Sequence, residues 1–425
     1  MISRPSNPDI VIVGAGAAGI AAGRELARLR IPFLIIEGRD RIGGRALTRT
    51  IGRGHRVDLG CEWLHSADRN VLASLARETG VGLDMSPPPW RKRHLQAGFD
   101  HRDQDAFEIA SQAFYARLET AAAEARRTGR DGRASASLES GGRWNGLLDA
   151  ISTYYNGAPL DRVSILDFDA YLDTEVNWRA IVGYGALIAA LGADLPLQLG
   201  CSVRRLDGTG RDIRLETDLG TIVTRQVIVT VPTNVVASGA IRFDPALDGH
   251  VAAAAGLPLG LADKVYFELE APQAFAPDTR LLGATDRTDM GSYTLRSRGA
   301  ALVEGYFGGD YARQLEAGGL AAFADAAQRE IGAVLGRDIA AKLKPLVATA
   351  WASDPFALGS YSHALPGQAD ARARLAAPID GRILFAGEAT SPHFFSTAHG
   401  AWEEGVRAAR ALTAGDRVAS AAARP

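Results

Sequence analysis

Three kinds of apolar run organise this chain. Asp9 to Val13, containing "IVIV", and "PFLIIE" hold short continuous apolar stretches flanked by turn residues, the pattern of strands buried on both faces. "GLPLGLADKVYFELE" alternates instead, with Val265, Phe267 and Leu269 on one face and Ala262, Lys264, Tyr266 and Glu268 on the other. That alternation predicts a strand with one core face and one wet face. Apolar positions at helical spacing occur in Ile20 to Leu29, near Ser111 to Ala125, in "GLAAFADAAQREIGAVLG" and in Gly400 to Leu412. Further strands are predicted at "SVRRLD", "DIRLETD", "TIVTRQVIVTVP" and Ile383 to Ala386.

The first strand and the first helix are joined by Gly14-Ala15-Gly16-Ala17-Ala18-Gly19. The first glycine permits a tight turn, the second lets backbone approach a pyrophosphate, and the third lets helix and strand pack closely. The helix start then presents unpaired N–H groups to the phosphates. The second strand ends in Glu37, about 20 residues on, where a carboxylate accepts from ribose hydroxyls and repels a 2′-phosphate. Beyond it, "GRDRIGGRALT" follows, with Gly38, Arg39, Arg41, Gly43, Gly44 and Arg45 in it or at its edge. Two more glycines allow close backbone approach, and Arg45 offers a planar fork of donors to phosphate. This stretch resembles the signature that follows the ribose-binding acid in flavoproteins of the glutathione-reductase-like fold. The resemblance makes FAD the expected cofactor.

Composition narrows the classes. The chain has 425 residues, 47% apolar and 23% charged, with a net charge of −2. These values fit a globular protein of two or three domains' worth of core and leave no electrostatic footprint for nucleic acid or an anionic membrane. Cys61 and Cys201 are far apart and lack ligand spacing, so neither a disulfide framework nor a metal site is implied. No window reaches the roughly 20 apolar residues of a membrane span, and the N-terminus runs straight into the first strand without a leader pattern. A cytoplasmic protein acting on a small molecule is expected. The basic run Arg91 to His94 reads as a solvated loop, with anion steering as the alternative.

Six separated blocks, in order, carry a wider resemblance: the glycine turn, "DLGCEWLH", "VGYGALIAAL", "VIVTVP", "WASDPFALGSYS" and "GRILFAGEATSPHFFSTAHGAWEEG". Together they are similar to the flavin-dependent amine oxidase family, which includes monoamine oxidases, polyamine oxidases, L-amino-acid oxidases and histone lysine demethylases. The resemblance implies an α/β fold. A Rossmann-like, glutathione-reductase-like FAD-binding domain is expected from residues 1–64, 185–256 and 366–415, with an inserted α+β substrate domain from 65–184 and 257–365. Residues 416–425 are expected to form a flexible tail. Cofactor contacts carried over are Gly60, Cys61, Glu62, Trp63, Val203 against the adenine, Val231, Trp351, Gly387 and Glu388. Thr397 and Ala398 start the last helix, whose positive end would favour an anionic reduced flavin. Lys264 matches the family lysine that holds a water beside flavin N5.

The departures are informative as well. Monoamine oxidases place a flavin-tethering cysteine before the tyrosine of a "YxxxxPG"-like block, where this chain has Ser360 before Tyr361, so non-covalent FAD is expected. Tyr361 matches one wall of the family's aromatic cage. The second monoamine oxidase tyrosine is replaced by Thr397, and Phe394 or Phe395 matches the ring of the polyamine oxidase branch. Glu62, Trp63 and His65 follow the flavin-side block, where polyamine oxidases meet a distal amine. The implied reaction is hydride transfer from the amine α-carbon to flavin N5, imine hydrolysis, and reoxidation by O2 to hydrogen peroxide. A di- or polyamine, or another primary or secondary amine, is the expected substrate. An L-amino acid, for which no carboxylate-binding arginine stands out, and a cyclic, nicotine-type amine are alternatives, as are a flavin-dependent desaturase and a non-catalytic FAD-binding protein. Oligomeric state is left open, a homodimer included.

Overall fold

The computed structural model describes residues 8–422, with side chains placed to residue 414. The chain forms a mixed α/β molecule with several sheets. In one, the strands Ile383–Phe385, Gln226–Val229, Ile10–Val13, Phe33–Ile36 and Leu197–Gln198 lie side by side in that order, all parallel. A parallel sheet is covered on both faces, which is why "IVIV" and "FLII" show no polar alternation. Every residue of both is buried. Ile10, Ile12, Phe33 and Ile35 pack toward Ala22 and Leu26 of helix Ala17–Arg28 and Ala408 of the last helix. Val11, Val13, Leu34 and Ile36 face Leu206, Ile213 and Leu215 of a separate four-stranded sheet.

Three boundaries differ from expectation. "TIVTRQVIVTVP" is two strands, Gly220–Thr224 and Gln226–Val229, in different sheets. The break falls where the Thr224 hydroxyl turns inward to the carbonyls of Pro8 and Asp9. The first helix begins at Ala17 rather than Ile20, because Gly14, at φ +106°, turns the chain directly into it. The last helix runs from Ala398 to Ala422, so the tail expected from residue 416 is helical as far as Ala422; residues 423–425 lie outside those described.

A second large sheet has six strands, ordered Leu343–Ala348, Ala262–Leu269, Leu302–Gly308, Ser292–Leu295, Thr279–Leu282 and Gln96–Ala97. It is antiparallel except for the last pair. One face packs on helix Gly319–Leu335 through Val265, Phe267, Val303, Phe323 and Ile331. The opposite face corrects the sequence reading of the lysine strand: Lys264 and Tyr266 are only 5% and 2% exposed, so neither face is wet. The strand is an inner one, and Tyr266 packs under Val57 and Leu59. Among the described residues no helix is long and apolar enough to cross a membrane.

Candidate active site

A cavity of about 1530 Å³ opens at the carboxyl ends of the parallel strands and reaches the six-stranded sheet. Small-ligand sites usually occupy about 300–1,000 Å³, so this one has room for a large cofactor with a substrate beside it. At the first helix, Gly16 is the N-cap and no side chain caps the end. Its leading N–H groups therefore lack internal partners where Gly16, Ala17 and Ala18 border the cavity. The Glu37 carboxylate accepts from the N–H groups of Ala15 at 2.8 Å and Arg39 at 2.9 Å, which fixes it beside the glycine turn. Its remaining lone pairs stay available to ribose hydroxyls.

Arg45 ties the two ends of the chain together. Its Nη1 donates to the Ser360 carbonyl at 2.7 Å and to Glu388 at 3.0 Å. Glu388 also accepts from Ser362 Oγ at 2.6 Å and from the Ser396 N–H at 2.9 Å. Burial alone would raise the Glu388 carboxyl, but Arg45 and these donors hold it below its ordinary value. Thr397 Oγ1 accepts from the Gly400 N–H at 3.0 Å and so caps the last helix at the cavity wall. A glycine turn, an uncapped helix start, a fixed carboxylate on the next strand and a second helix start form a donor and acceptor set that fits a flavin dinucleotide.

Of the residues named from sequence for the cofactor, Gly14, Gly16, Ala18, Glu37, Gly38, Arg39, Gly43, Gly44 and Arg45 border this cavity. So do Gly60, Cys61, Glu62, Trp63, Val203, Val231, Trp351, Gly387, Glu388, Thr397 and Ala398. Gly19 does not: a Cβ there would lie 1.9 Å from the Gly14 carbonyl oxygen, so it serves the contact of helix with turn. Lys264, Tyr361, His65 and Phe395 border the cavity; Phe394 does not. Ser391 Oγ accepts the Phe394 N–H at 3.1 Å, and the Phe394 ring packs on His399 with centroids 4.9 Å apart. The next residue turns inward, so the ring that shares the cavity with Tyr361 is Phe395. The basic run is paired within the chain: Arg91, Lys92 and Arg93 pair with Glu175, Asp278 and Asp105, and of the three only Arg93 borders the cavity.

Lys264 sits in a buried charge cluster. Its Nζ donates to the Asp58 carbonyl at 3.0 Å and Glu62 at 2.8 Å, and pairs with Glu304 at 3.0 Å. An ammonium has three hydrogens, and these partners take all three. Burial works against its charge, but Glu304 and Glu62 raise its pKa well above the ordinary lysine range. For Glu62 burial pushes upward, yet Lys264 together with Arg179, at 3.1 Å, draws the pKa down to about 2. Burial and repulsion from Glu62 raise Glu304. His65 Nδ1 lies 2.6 Å from Asn177 Oδ1, and burial lowers its pKa. Tyr361 hydrogen-bonds the Tyr306 hydroxyl at 3.0 Å and the Tyr154 carbonyl.

Sequence reasoning passed over Glu304, Tyr306, Arg179 and Arg280, all on the cavity wall. A signal for the first two existed. "LVEGYFG" alternates, with Glu304 and Tyr306 between the buried Val303 and Phe307. Only the strand register, which sets Lys264 opposite Tyr306, reveals their place.

Residues 17–413 match the sequence model of flavin-containing amine oxidoreductases. The chain belongs to this family. This amine oxidoreductase is 27% identical to polyamine oxidase 4 of Oryza sativa subsp. japonica, over 95% of the chain and 88% of the relative. It is 28% identical to polyamine oxidase 2 of Arabidopsis thaliana, over 95% and 87%. It is also 27% identical to lysine-specific histone demethylase 1 homolog 2 of A. thaliana, over 94% of the chain but 58% of that longer protein.

Proposed function

We propose that this amine oxidoreductase binds FAD non-covalently and oxidises a primary or secondary amine at its α-carbon, with O2 as the final acceptor. The observation that carries this reading is the single cavity joining the glycine turn and Glu37 to the wall of Lys264, Tyr306 and Tyr361. Gly14, Gly16, Glu37, Arg45 and Glu388 would hold the cofactor, and Thr397 and Ala398 would meet its far end. Bound flavin would supply the hydride acceptor and pass the electrons to O2, forming hydrogen peroxide. The chain's own part is to orient and desolvate the amine.

Tyr361 and Phe395 line the cavity and would bound the amine end. His65, kept neutral by burial and donating from Nδ1 to Asn177, offers Nε2 as an acceptor for a substrate N–H. Lys264 acts as a fixed positive charge beside the reacting end, held there by the Asp58 carbonyl, Glu62 and Glu304. The relatives named polyamine oxidases point to polyamines, but Glu62 is neutralised by Lys264 and Arg179 and holds no spare charge for a distal ammonium. The same reading assigns the parallel sheet to a Rossmann-like, glutathione-reductase-like FAD domain drawn from 1–64, 185–256 and 366–415. It assigns the six-stranded sheet to a substrate domain from 65–184 and 257–365. Two free cysteines support a reducing, cytoplasmic setting.

Anaerobic mixing of the holoprotein with monoamines, polyamines, amino acids and cyclic amines is the test. At least one is expected to bleach the flavin, with hydrogen peroxide appearing on admission of air; bound flavin that no amine reduces would overturn the proposal. Acid precipitation is expected to leave the flavin in solution, and flavin retained in the pellet would refute non-covalent binding.

A further inference from the structure

We infer that the amine substrate also carries an anionic group, a carboxylate or its equivalent, and that Arg280 binds it. This inference rests on the amine-oxidation reading above. Seven arginines border the cavity, and six of them, Arg39, Arg45, Arg93, Arg126, Arg179 and Arg204, each pair with a carboxylate of the chain. Arg280 is the seventh, and among the described residues it pairs with none. Its Nη2 donates to Ser292 Oγ at 2.6 Å, while its Nε is enclosed and without a partner. Burial lowers the guanidinium pKa, yet an arginine does not deprotonate in a protein, so its charge stays and needs compensation.

The surroundings fit an anion held from one side. Arg280 lies opposite Thr294 on one neighbouring strand and Gln96 on the other. The side-chain Oε1 of Gln96 is likewise buried without a partner. Both residues border the cavity, whose lining also includes the apolar Phe107, Ile151 and Leu282. A planar guanidinium in such a pocket suits a carboxylate in both shape and charge. It would repel the far ammonium of a polyamine.

The sheet register gives the spacing. Lys264 is paired with Tyr306, and Tyr306 with Ser292, so the serine that anchors the Arg280 head is two strands from the lysine. Two strand spacings are roughly 10 Å. With the amine end at Lys264 and Tyr361, the anion is separated from the oxidised C–N bond by several bonds. The class indicated is a chain-extended amino acid, such as an ω-amino acid, rather than an α-amino acid.

The experiment compares straight-chain ω-amino acids, their methyl esters and diamines of equal length, by anaerobic flavin reduction in the holoprotein. The acid is expected to half-saturate at a concentration about tenfold or more below its ester and its diamine, the effect of one charge-assisted hydrogen bond. Arg280→Met should remove that preference while leaving flavin content, limiting reduction rate and ester saturation unchanged, and Arg280→Lys should restore part of it. Diamines that reduce the flavin as well as the acids do would overturn the inference and leave amine oxidation standing. An Arg280→Met variant that slows acid, ester and diamine alike would also overturn it. Flavin that no amine reduces brings down the amine-oxidation reading itself. Should Arg280→Met lose its flavin, the acid, ester and diamine comparison in the unaltered protein decides alone.

Discussion

Asp263 and Lys264 are adjacent, buried and in opposite predicaments. Asp263 accepts from the Thr349 hydroxyl at 2.6 Å and the Trp351 N–H at 3.3 Å, but its Oδ2 has no partner. Burial, reinforced by Glu316, pushes its pKa from 3.8 up to about 8. A carboxyl raised in the folded state contributes stability that is complete below the unfolded value and disappears as pH rises to the folded one. Asp263→Asn keeps a neutral donor in place, so it is expected to raise Tm above pH 8 and change it little near pH 4; parallel melting curves at both pH values would refute this. Glu62 works the other way, its stability being present above 4.5 and lost as pH falls to about 2. Lys264→Met would leave Glu304 without its cation and Glu62 with Arg179 alone, at a cost of about 3–5 kcal/mol. The double variant Lys264→Met with Glu304→Gln is expected to recover that stability yet still show slowed flavin turnover. Turnover that recovers together with Tm would reduce the lysine to a structural ion.

At the level of elements, the glycine turn shows why part of the site could be read in advance. Strand, turn, helix and second strand follow one another in the chain, so Gly14, Gly16, Glu37 and Arg45 declare their relation by order alone. Gly19→Ala tests that unit: its Cβ would meet the Gly14 carbonyl oxygen at 1.9 Å. The expected strain of about 1–3 kcal/mol should weaken FAD binding about tenfold or more while the circular dichroism stays unchanged, and undiminished affinity would argue against the assignment. The other wall resisted reading for a physical reason. Lys264, Tyr306, Ser292, Arg280 and Gln96 lie on five strands whose order across the sheet is not their order along the chain. Alternation correctly paired Lys264 with Tyr266 on one face but gave no information on what covered it, since the cover comes from Val57, Leu59 and Glu62. Phe394 and Phe395 differ by one position in a loop, where no periodicity chooses between them.

Across the whole molecule, one cavity is lined by segments from Val13 to Ala401, and the proposed flavin would draw its contacts from them. Its binding should therefore stabilise the fold as a unit. FAD at one hundred times its dissociation constant is expected to add about 2.7 kcal/mol and to raise Tm with FAD concentration in a single transition. A Tm indifferent to added FAD would show that the cavity is not its site. The parallel sheet gives this a temporal side. Its central strand is Ile10–Val13, yet the strand at one edge, Ile383–Phe385, is synthesised nearly last, and the glycine turn leaves the ribosome far ahead of Glu388 and Thr397. At about 5–20 residues per second, the nascent chain spends roughly tens of seconds with half a cradle. On the proposed binding mode, flavin capture would be a late event in biogenesis, and a chain cut short before Ile383 is expected to come off the ribosome colourless.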